Sequence, residues 1–233
     1  MRLIFVRHGE PDYEKDTLTE NGNDQAKKTA ERLKNEGISA IYSSPMGRAY
    51  KTASYTADIY GLDITKLDFM HEINWGVKDG ASPDSIPYNG HPWSLAFRLY
   101  AESEEAASSD KWREHPYFRD NICLDYYDMI SNKFDEFLMS LGYIRKGNTY
   151  QSTKSNDDTI AVFAHGGSGG VMLSHVLSLP FPYVMSVIPY GVCSITIIDF
   201  EAQYGDLVIP RIELFNDMNH LGNVRHEKLH FDK

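Results

Sequence analysis

The chain has 233 residues, 42% of them hydrophobic, and is long enough for one α/β domain that buries a sizeable core. Its formal net charge of -10 argues against nucleic acid or an anionic membrane surface as a partner, because both require an excess of lysine and arginine. The two cysteines, Cys123 and Cys193, lie far apart in the sequence and predict core packing rather than a disulfide framework or a zinc site.

No apolar stretch approaches the roughly 20 residues that a membrane-spanning helix needs. The chain start, from Met1 to Arg7, is too short and too promptly charged for a signal peptide. We therefore expect a cytoplasmic protein that associates with neither membranes nor nucleic acid. The sequence does not indicate an oligomeric state.

The first predicted element is a short buried strand from Leu3 to Val6, which ends abruptly in Arg7, His8 and Gly9. Ligands of open α/β sheets bind at the carboxyl ends of the strands. An arginine beside an imidazole, with a glycine that permits close backbone approach, favours phosphate binding there. The alternative is a strand that happens to end in surface-exposed basic residues.

Helical and strand patterns then alternate along the chain. Caps and apolar periodicity predict helices that run from Thr19 to Gly37, from Ser44 and Pro45 to Gly61, over 122–141, and after His165. Apolar runs predict strands over 38–42, 159–164, 192–198 and 207–214, with an exposed hairpin or loop over 143–158. This alternation predicts a three-layer αβα fold with a mostly parallel sheet.

Periodicity fails between Val77 and Asn121, where prolines interrupt the chain. Trp93 and Trp112 lie within this stretch and Trp75 lies beside it. Long irregular segments rich in aromatic residues are typical of ordered functional insertions. We expect a single domain over 1–233 whose insertion at about 77–121, irregular or helical, forms a lid over the active site.

A second buried strand, 159–164, also ends in a histidine followed by glycines, His165 and Gly166 onward. Because the carboxyl ends of parallel strands meet at one edge of a sheet, His8 and His165 are expected to lie close together. The glycines would free backbone N–H groups at a helix N-terminus to face an anion. The alternative is an ordinary loop histidine.

Arg48 lies in the first turn of a predicted helix, immediately after a strand. A cation there opposes the helix dipole, which is favourable only if the side chain faces a bound anion rather than solvent. A solvated arginine is the alternative. Thr52, one turn later on the same face, is expected either to hold Arg48 or to pack.

Five blocks in this order resemble the histidine phosphatase superfamily, in the branch of the cofactor-dependent phosphoglycerate mutases and broad-specificity phosphatases. A further block near the end of the chain, Phe215-Asn216-Asp217 with His220-Leu221, is similar to the phosphatase-type members. The five blocks are Arg7-His8-Gly9-Glu10, Leu18-Thr19-Glu20-Asn21-Gly22, Ser43-Ser44-Pro45 with Arg48 and Thr52, Glu72 with Gly76, and His165-Gly166.

The resemblance implies that His8 is the nucleophile and forms a phosphohistidine that water then hydrolyses. The imidazole must attack in its neutral form, and Arg7 and Arg48 nearby should lower its pKa. The Gly9 carbonyl would hold the reactive tautomer. Glu10 belongs to the same block, but the resemblance assigns it no role.

The resemblance also implies a set of groups that bind the phosphoryl oxygens and a general acid. The general acid would be Glu72, which protonates the leaving oxygen and then activates water. The implied substrate-binding residues are Arg7, Gly9, Arg48, His165 and Gly166, of which Arg7, Arg48 and His165 are also catalytic with His8 and Glu72.

Together these residues imply a metal-independent hydrolase, a phosphomonoesterase of the histidine acid phosphatase type that acts on a small phosphorylated metabolite. No cofactor and no metal are expected, and His71, His91 and His220 are too scattered in sequence to predict a metal site. Pro11 to Glu14 depart from the family pattern. The resemblance also implies that mutases carry a cluster of basic residues after the Glu72 block, where this chain has Lys78 alone close by. A mutase and a catalytically silent phospholigand-binding protein are the alternatives.

Overall fold

A computed structural model describes residues 1–222 of the chain apart from Pro83 and Ser85. Residues 223–233 of the predicted domain therefore lie outside the described part. Its strands are β1 (Arg2–Arg7), β2 (Pro11–Asp12), β3 (Thr17–Leu18), β4 (Ile38–Ser43), β5 (Ile64–Lys66), β6 (Tyr143–Lys146), β7 (Thr149–Ser152), β8 (Thr159–Ala164), β9 (Ile195–Asp199), β10 (Leu207–Val208) and β11 (Arg211–Asp217). Its α-helices are α1 (Glu20–Leu33), α2 (Gly47–Tyr60), α3 (Pro92–Glu102), α4 (Glu104–Ser108), α5 (Pro116–Arg119), α6 (Ile122–Ser140), α7 (Gly166–Val176) and α8 (Phe181–Val187).

A six-stranded sheet in the order β11-β9-β1-β8-β4-β5 forms the centre of the molecule. The pairs β1–β8, β8–β4 and β4–β5 are parallel, while β9 and β11 join antiparallel at one edge. This arrangement is the mostly parallel sheet that the alternation of helices and strands predicts.

Both faces of the sheet are covered, which explains the continuous apolar runs in β1 and β8. On one face, Leu3 and Phe5 pack in a core that includes Phe134 of α6 and Leu173 of α7. On the other face, Ile4 packs in a core that includes residues of α1 and α2. The three-layer αβα architecture follows from this two-sided burial.

Two helix boundaries differ from the sequence prediction. Helix α1 begins after the predicted N-cap Thr19 but ends at Leu33, so Gly37 lies in the following turn, with a φ of 72°. Helix α2 begins at Gly47 rather than at Pro45, and its N-cap is Met46. Ser44 was therefore wrongly predicted to cap α2; its hydroxyl group instead makes the contact described below.

The predicted strand over 207–214 is split in the structure. Leu207–Val208 pairs with β7 in a separate three-stranded sheet, whereas Arg211–Asp217 pairs with β9 at the edge of the main sheet. Strand β9 begins at Ile195, so Cys193 lies in a turn before it, with a φ of 54°. Both Cys193 and Cys123 are buried free thiols, which confirms their predicted core packing.

The segment 77–121 is more regular than its sequence suggests. It contains α3, α4, α5 and short 3-10 helices over Tyr88–Gly90 and Asp110–Arg113. Trp112 is fully buried, and its ring lies 5.4 Å from that of Phe118, 5.1 Å from that of Tyr127 and 5.5 Å from that of Phe181. The segment is therefore packed onto the main core through aromatic contacts.

Within the described residues, no helix combines the length and the apolar character required to cross a membrane.

Candidate active site

The two histidines predicted to meet do lie side by side. Strands β1 and β8 are parallel, with Arg7 opposite Ala164, so His8 and His165 leave the sheet together. Their ring centroids are 5.1 Å apart with an interplanar angle of 61°, and their exposed fractions are 1% and 0%. The topology of the sheet thus creates a buried two-histidine site at its carboxyl edge.

The backbone around Gly9 selects one tautomer of His8. The Gly9 carbonyl lies 2.7 Å from His8 Nδ1, so Nδ1 carries the proton and Nε2 keeps its lone pair. The Thr52 hydroxyl accepts the Gly9 N–H at 3.1 Å and donates to the Arg48 carbonyl at 2.8 Å. Burial first, and then the Arg7 charge, lower the pKa of His8 to about 3, which keeps the imidazole neutral.

His165 has the same tautomer but presents its other nitrogen to the site. The Ser44 Oγ lies 2.7 Å from His165 Nε2 and accepts the Met46 N–H at 3.3 Å. No other acceptor for the Ser44 hydroxyl proton is found among the described residues, so we assign this proton to the bond with Nε2 and the imidazole proton to Nδ1. Burial, followed by the positive charges of Arg48 and Arg7, places the pKa of His165 far below its usual value.

Both predicted arginines lie in the site with buried donors. Arg7 Nη1 donates to the Tyr190 carbonyl, and Arg48 Nη1 donates to Asp16 Oδ1 at 2.7 Å. Three buried nitrogens of this site make no hydrogen bond within the described part of the chain: Arg7 Nε, Arg48 Nε and His165 Nδ1. Buried donors are costly unless they are paired, so this trio fits an anionic ligand with several oxygens.

Glu72 occupies the N-terminus of α7. Its Oε1 accepts the N–H groups of Ile73 and Ser168, both at 3.0 Å, and its Oε2 accepts the Gly167 N–H at 3.3 Å. Two of the N–H groups expected to face a substrate anion are thus bound to Glu72 instead, which corrects that expectation. Carboxylates are favoured at this end of a helix.

The glycine-rich start of α7 is required by close packing. A Cβ at Gly167 would lie 2.5 Å from Glu72 Oε1, and one at Gly169 would lie 2.2 Å from the Phe5 ring. A Cβ at Gly166 would meet Arg7 Nε at an ordinary 3.6 Å. Gly166, the first residue of α7, therefore lies beside Arg7, which the resemblance also assigns to substrate binding.

Glu10 acquires a structural role that sequence reasoning missed. Its carboxylate accepts the Thr19 hydroxyl at 2.8 Å and the Asn21 amide at 2.7 Å, while its own N–H donates to Gln25. These contacts join the first two sequence blocks. No local pattern predicts these contacts, because Thr19 and Asn21 lie nine and eleven positions after Glu10.

Asp16 and Ser44 are the other site residues that sequence reasoning missed. Asp16 contacts Arg48, and Ser44 contacts His165. Neither contact is local, and Ser44 has the sequence context of an N-cap. His71, His91 and His220 lie apart, and no group of three or more metal-ligating side chains occurs among the described residues.

The sequence-family model for branch 1 of the histidine phosphatase superfamily matches residues 3–115, just under half of the chain. Over these residues the chain is similar to the histidine phosphatase superfamily. The matched range contains the superfamily blocks around His8, Arg48 and Glu72. His165 lies beyond it and joins these residues through the parallel pairing of β1 and β8.

Curated relatives match the chain over part of its length. A probable phosphoglycerate mutase of Photorhabdus laumondii is 31% identical over 102 residues, which cover 40% of this chain and 47% of the relative. A probable phosphoglycerate mutase of Yersinia pestis is 34% identical over the same length and shares. The chain thus matches about half the length of these relatives.

Solved structures share the fold over nearly the whole chain. Phosphoserine phosphatase of Entamoeba histolytica, in complex with 3-phosphoglyceric acid, aligns with a TM-score of 0.62 and 24% identity over 94% of this chain and 98% of that one. The mycobacterial glucosyl-3-phosphoglycerate phosphatase with inorganic phosphate aligns with a TM-score of 0.62 and 21% identity over the same shares. At these identities the alignments show the fold alone.

Proposed function

We propose that the protein is a metal-independent phosphomonoesterase of the histidine acid phosphatase type, working through phospho-His8. The observation that carries the proposal is the position of a neutral nucleophilic imidazole beside three buried, unpaired nitrogens, on Arg7, Arg48 and His165. Positioning and charge stabilisation of this kind supply most of the catalysis in phosphoryl transfer.

In the first step, His8 Nε2 attacks phosphorus while the bond from phosphorus to the ester oxygen breaks. Arg7, Arg48 and His165 Nδ1–H hold the phosphoryl oxygens as charge shifts onto them. Glu72 donates a proton to the leaving oxygen, so an alcohol departs. Glu72 Oε2, which accepts only one long hydrogen bond within the described chain, is the oxygen that carries this proton.

In the second step, water attacks the phosphorus of phospho-His8. The Glu72 carboxylate accepts a proton from the water as the bond between phosphorus and nitrogen breaks. Inorganic phosphate is released, and His8 regains its lone pair at Nε2. The hydrogen bond from His8 Nδ1–H to the Gly9 carbonyl holds the ring throughout.

The surroundings of the site favour a phosphatase over a mutase. A mutase must retain a substrate that carries a second phosphate, which requires further cations. Lys78, the lysine close after Glu72, forms an ion pair with Asp125 at 2.6 Å. The mutase is kept as a second candidate because the sequence relatives are named probable phosphoglycerate mutases.

The proposed substrate is a small phosphorylated metabolite, and the proposed location is the cytoplasm. The structural relatives support this substrate class, since their structures contain phosphoserine or 3-phosphoglyceric acid. The net charge of -10 supports a small ligand held by local cations over nucleic acid or an anionic membrane.

We also propose that 77–121 is a lid within a single domain. Asn121 ties the two ends of the segment, because its side chain accepts the Gly76 N–H at 3.3 Å and donates to the Gly90 carbonyl at 2.8 Å. Gly76, one of the two residues that Asn121 contacts, lies four residues after Glu72 in the sequence.

Orthovanadate, a phosphate analogue, should slow tryptic cleavage at Lys78, Arg98, Lys111 and Arg113. Unchanged cleavage at a saturating concentration of orthovanadate would contradict the lid.

The deciding experiment traps the intermediate. The protein is mixed with p-nitrophenyl phosphate, quenched without acid and analysed by mass spectrometry, and phosphate is expected on His8. His8→Ala should lose both the modification and turnover. His115→Asn is the matched control, because asparagine retains the side-chain acceptor with which His115 caps α5; it should keep both.

The alternatives give different results. A mutase would require a bisphosphorylated primer and would move phosphate between positions of a three-carbon acid. A silent binding protein would bind phosphate esters without turnover over a broad panel. Wild-type turnover by His8→Ala would end the phosphohistidine proposal.

A further inference from the structure

We propose that Asp16 is a positioning residue that holds the Arg48 guanidinium in place for phosphoryl binding. Asp16 lies in the turn between β2 and β3, outside the sequence blocks of the superfamily. The inference rests on the proposed function for its catalytic consequence. Its structural basis is a bridge between this turn and the start of α2.

The Asp16 carboxylate uses both oxygens in this bridge. Oδ1 accepts Arg48 Nη1 at 2.7 Å, and Oδ2 accepts the Gly47 N–H, the first of α2, at 2.6 Å. A Cβ at Gly47 would lie 2.1 Å from the Asp16 carbonyl, so only glycine permits this approach. The bridge therefore fixes the arginine relative to the helix on which it lies.

The conformation of Asp16 is one that few residue types accept. Its φ is 46°, in the left-handed region where aspartate and asparagine are enriched among residues with a side chain. The structure thus holds this carboxylate in a restricted backbone position directly beside the start of α2. Because asparagine tolerates the same backbone, the substitution Asp16→Asn removes the charge and one of the two acceptors without backbone strain.

The bridge to Asp16 also compensates for the unfavourable position of the Arg48 charge at a helix N-terminus. A cation in the first turn of a helix opposes the helix dipole, and the Asp16 carboxylate offsets that repulsion at the same end. Arg48 is 6% exposed, and its remaining contacts are weak: Nη2 lies 3.5 Å from Met46 Sδ, and the guanidinium lies 5.4 Å from the Tyr13 ring. Asp16 is the strong, directional partner.

The consequence for chemistry concerns Arg48 Nε. With Nη1 held by Asp16, the buried and unpaired Nε–H has a defined direction, and the Arg48 charge acts on both His8 and His165. Loss of the bridge leaves the charge near the site but frees its orientation. Misplacement of a binding group by about 1 Å can cost about 100-fold in rate.

Asp12, the last residue of β2, lies directly before this turn and provides a matched control. Asp12 carries the same charge, but its carboxylate pairs with Lys15 at 3.1 Å and accepts the Lys15 N–H at 3.2 Å. Asp12→Asn therefore removes one negative charge next to the turn without touching Arg48. An effect of net charge alone would appear in both variants.

The experiment measures dissociation constants of orthovanadate, which resembles the transition state, and of inorganic phosphate, by calorimetry. For Asp16→Asn we expect vanadate affinity to fall about tenfold or more and phosphate affinity to fall less, because an oriented guanidinium matters most for the transition-state geometry. Asp12→Asn should match the wild type. In an Arg48→Ala background, Asp16→Asn should have no further effect, as expected for a residue that acts through Arg48.

The outcomes separate this inference from the proposed function, because binding is measured without turnover. Wild-type vanadate affinity in Asp16→Asn, or an undiminished effect of Asp16→Asn in the Arg48→Ala background, would overturn the positioning role. Absence of turnover in the wild type, with the Asp16 dependence of vanadate binding intact, would refute the phosphatase and support the orientation of Arg48 by Asp16.

Discussion

Ser44 Oγ lies 2.7 Å from His165 Nε2, and this contact decides which nitrogen of His165 faces the site. The hydroxyl accepts the Met46 N–H and has no other acceptor for its proton among the described residues, so we assign that proton to Nε2. His165 therefore presents Nδ1–H as a neutral donor. His8 has the same tautomer but presents the lone pair of Nε2 to the site. The two histidines therefore differ in role, one as acceptor or nucleophile and one as donor, because a different ring nitrogen of each is held by the protein.

Replacement of Ser44 by alanine should weaken catalysis by releasing the tautomer of His165. We expect kcat/KM to fall about tenfold or more, because removal of one donor to a developing negative charge costs about 100-fold or more. The ¹⁵N shifts of the His165 ring should change from a pure Nδ1–H form to a mixture. Ser43→Ala is the control, since the Ser43 hydroxyl donates to the Ser44 carbonyl and does not contact His165. An unchanged ¹⁵N spectrum in Ser44→Ala would refute the assignment.

Thr52 and Thr56 form a matched pair on one face of α2. Both are fully buried, but Thr52 bridges Gly9 and Arg48, whereas Thr56 Oγ1 has no hydrogen-bond partner within the described residues. Thr52→Val should lower the free energy of unfolding by about 1–3 kcal/mol, because the buried Gly9 N–H loses its acceptor. It should also reduce kcat/KM by loosening the Gly9 carbonyl that orients His8.

Thr56→Val should leave stability unchanged or raise it, since no hydrogen bond is lost and a buried polar atom is removed. Urea denaturation of both variants, with activity measured on the same samples, makes the comparison. Equal destabilisation by the two substitutions would show that the hydrogen bonds of Thr52 do not contribute to the free energy of unfolding.

The two buried histidines make stability depend on pH in a defined window. The folded state keeps both rings neutral, with the pKa of His8 lowered to about 3 and that of His165 lowered further, whereas the unfolded chain takes up protons near pH 6.5. Between these values the unfolded state binds more protons, so stability is full above about pH 6.5 and falls as pH decreases towards 3. Urea midpoints at pH 7.5 and 5 measure the slope.

His8→Gln should reduce that slope, because one of the protons taken up on unfolding is removed. The His8 ring resonances should not titrate between pH 5 and 8 in the folded wild type. A His8 titration near pH 6.5 would contradict the neutral, buried state on which the nucleophile depends.

Glu72→Gln should discriminate between substrates by their leaving groups. If Glu72 protonates the leaving oxygen, poor leaving groups need it most. We expect kcat/KM, which reports the step in which the leaving group departs, to fall about 100-fold or more on an alkyl phosphate and less on p-nitrophenyl phosphate. A series of aryl phosphates gives the dependence on leaving-group pKa. Parallel losses across the series would assign Glu72 to positioning of the α7 N-terminus instead.

Several elements were accurately predicted because their signals are local. The N-cap Thr19, the left-handed Gly61 at the end of α2 and the hairpin that joins β6 and β7 depend on residues close in sequence. Helix α2 starts two residues later than predicted because Ser44 is used by His165, a residue 121 positions away. A tertiary contact overrode a strong local capping signal.

The split of 207–214 has a similar cause. The apolar residues there fit one strand, but Leu207–Val208 pairs with the β6–β7 hairpin, and Arg211–Asp217 pairs with β9. Within 77–121, prolines obscured periodicity, yet Pro92 and Pro116 occupy first turns of α3 and α5, where proline is tolerated.

The sequence by itself determined the fold class and the meeting of His8 with His165, because apolar runs that end in histidine predict parallel strands with a shared carboxyl edge. It also determined that Arg48 begins a helix near that edge. Only the tertiary structure decided how these groups are tuned: Ser44 and the Gly9 carbonyl set the tautomers, Asp16 holds Arg48, and Glu72 takes the α7 N-terminus. Most of these contacts join segments far apart in the sequence, up to 121 positions for Ser44 and His165, and hydrogen-bond geometry at such separations depends on how whole elements pack.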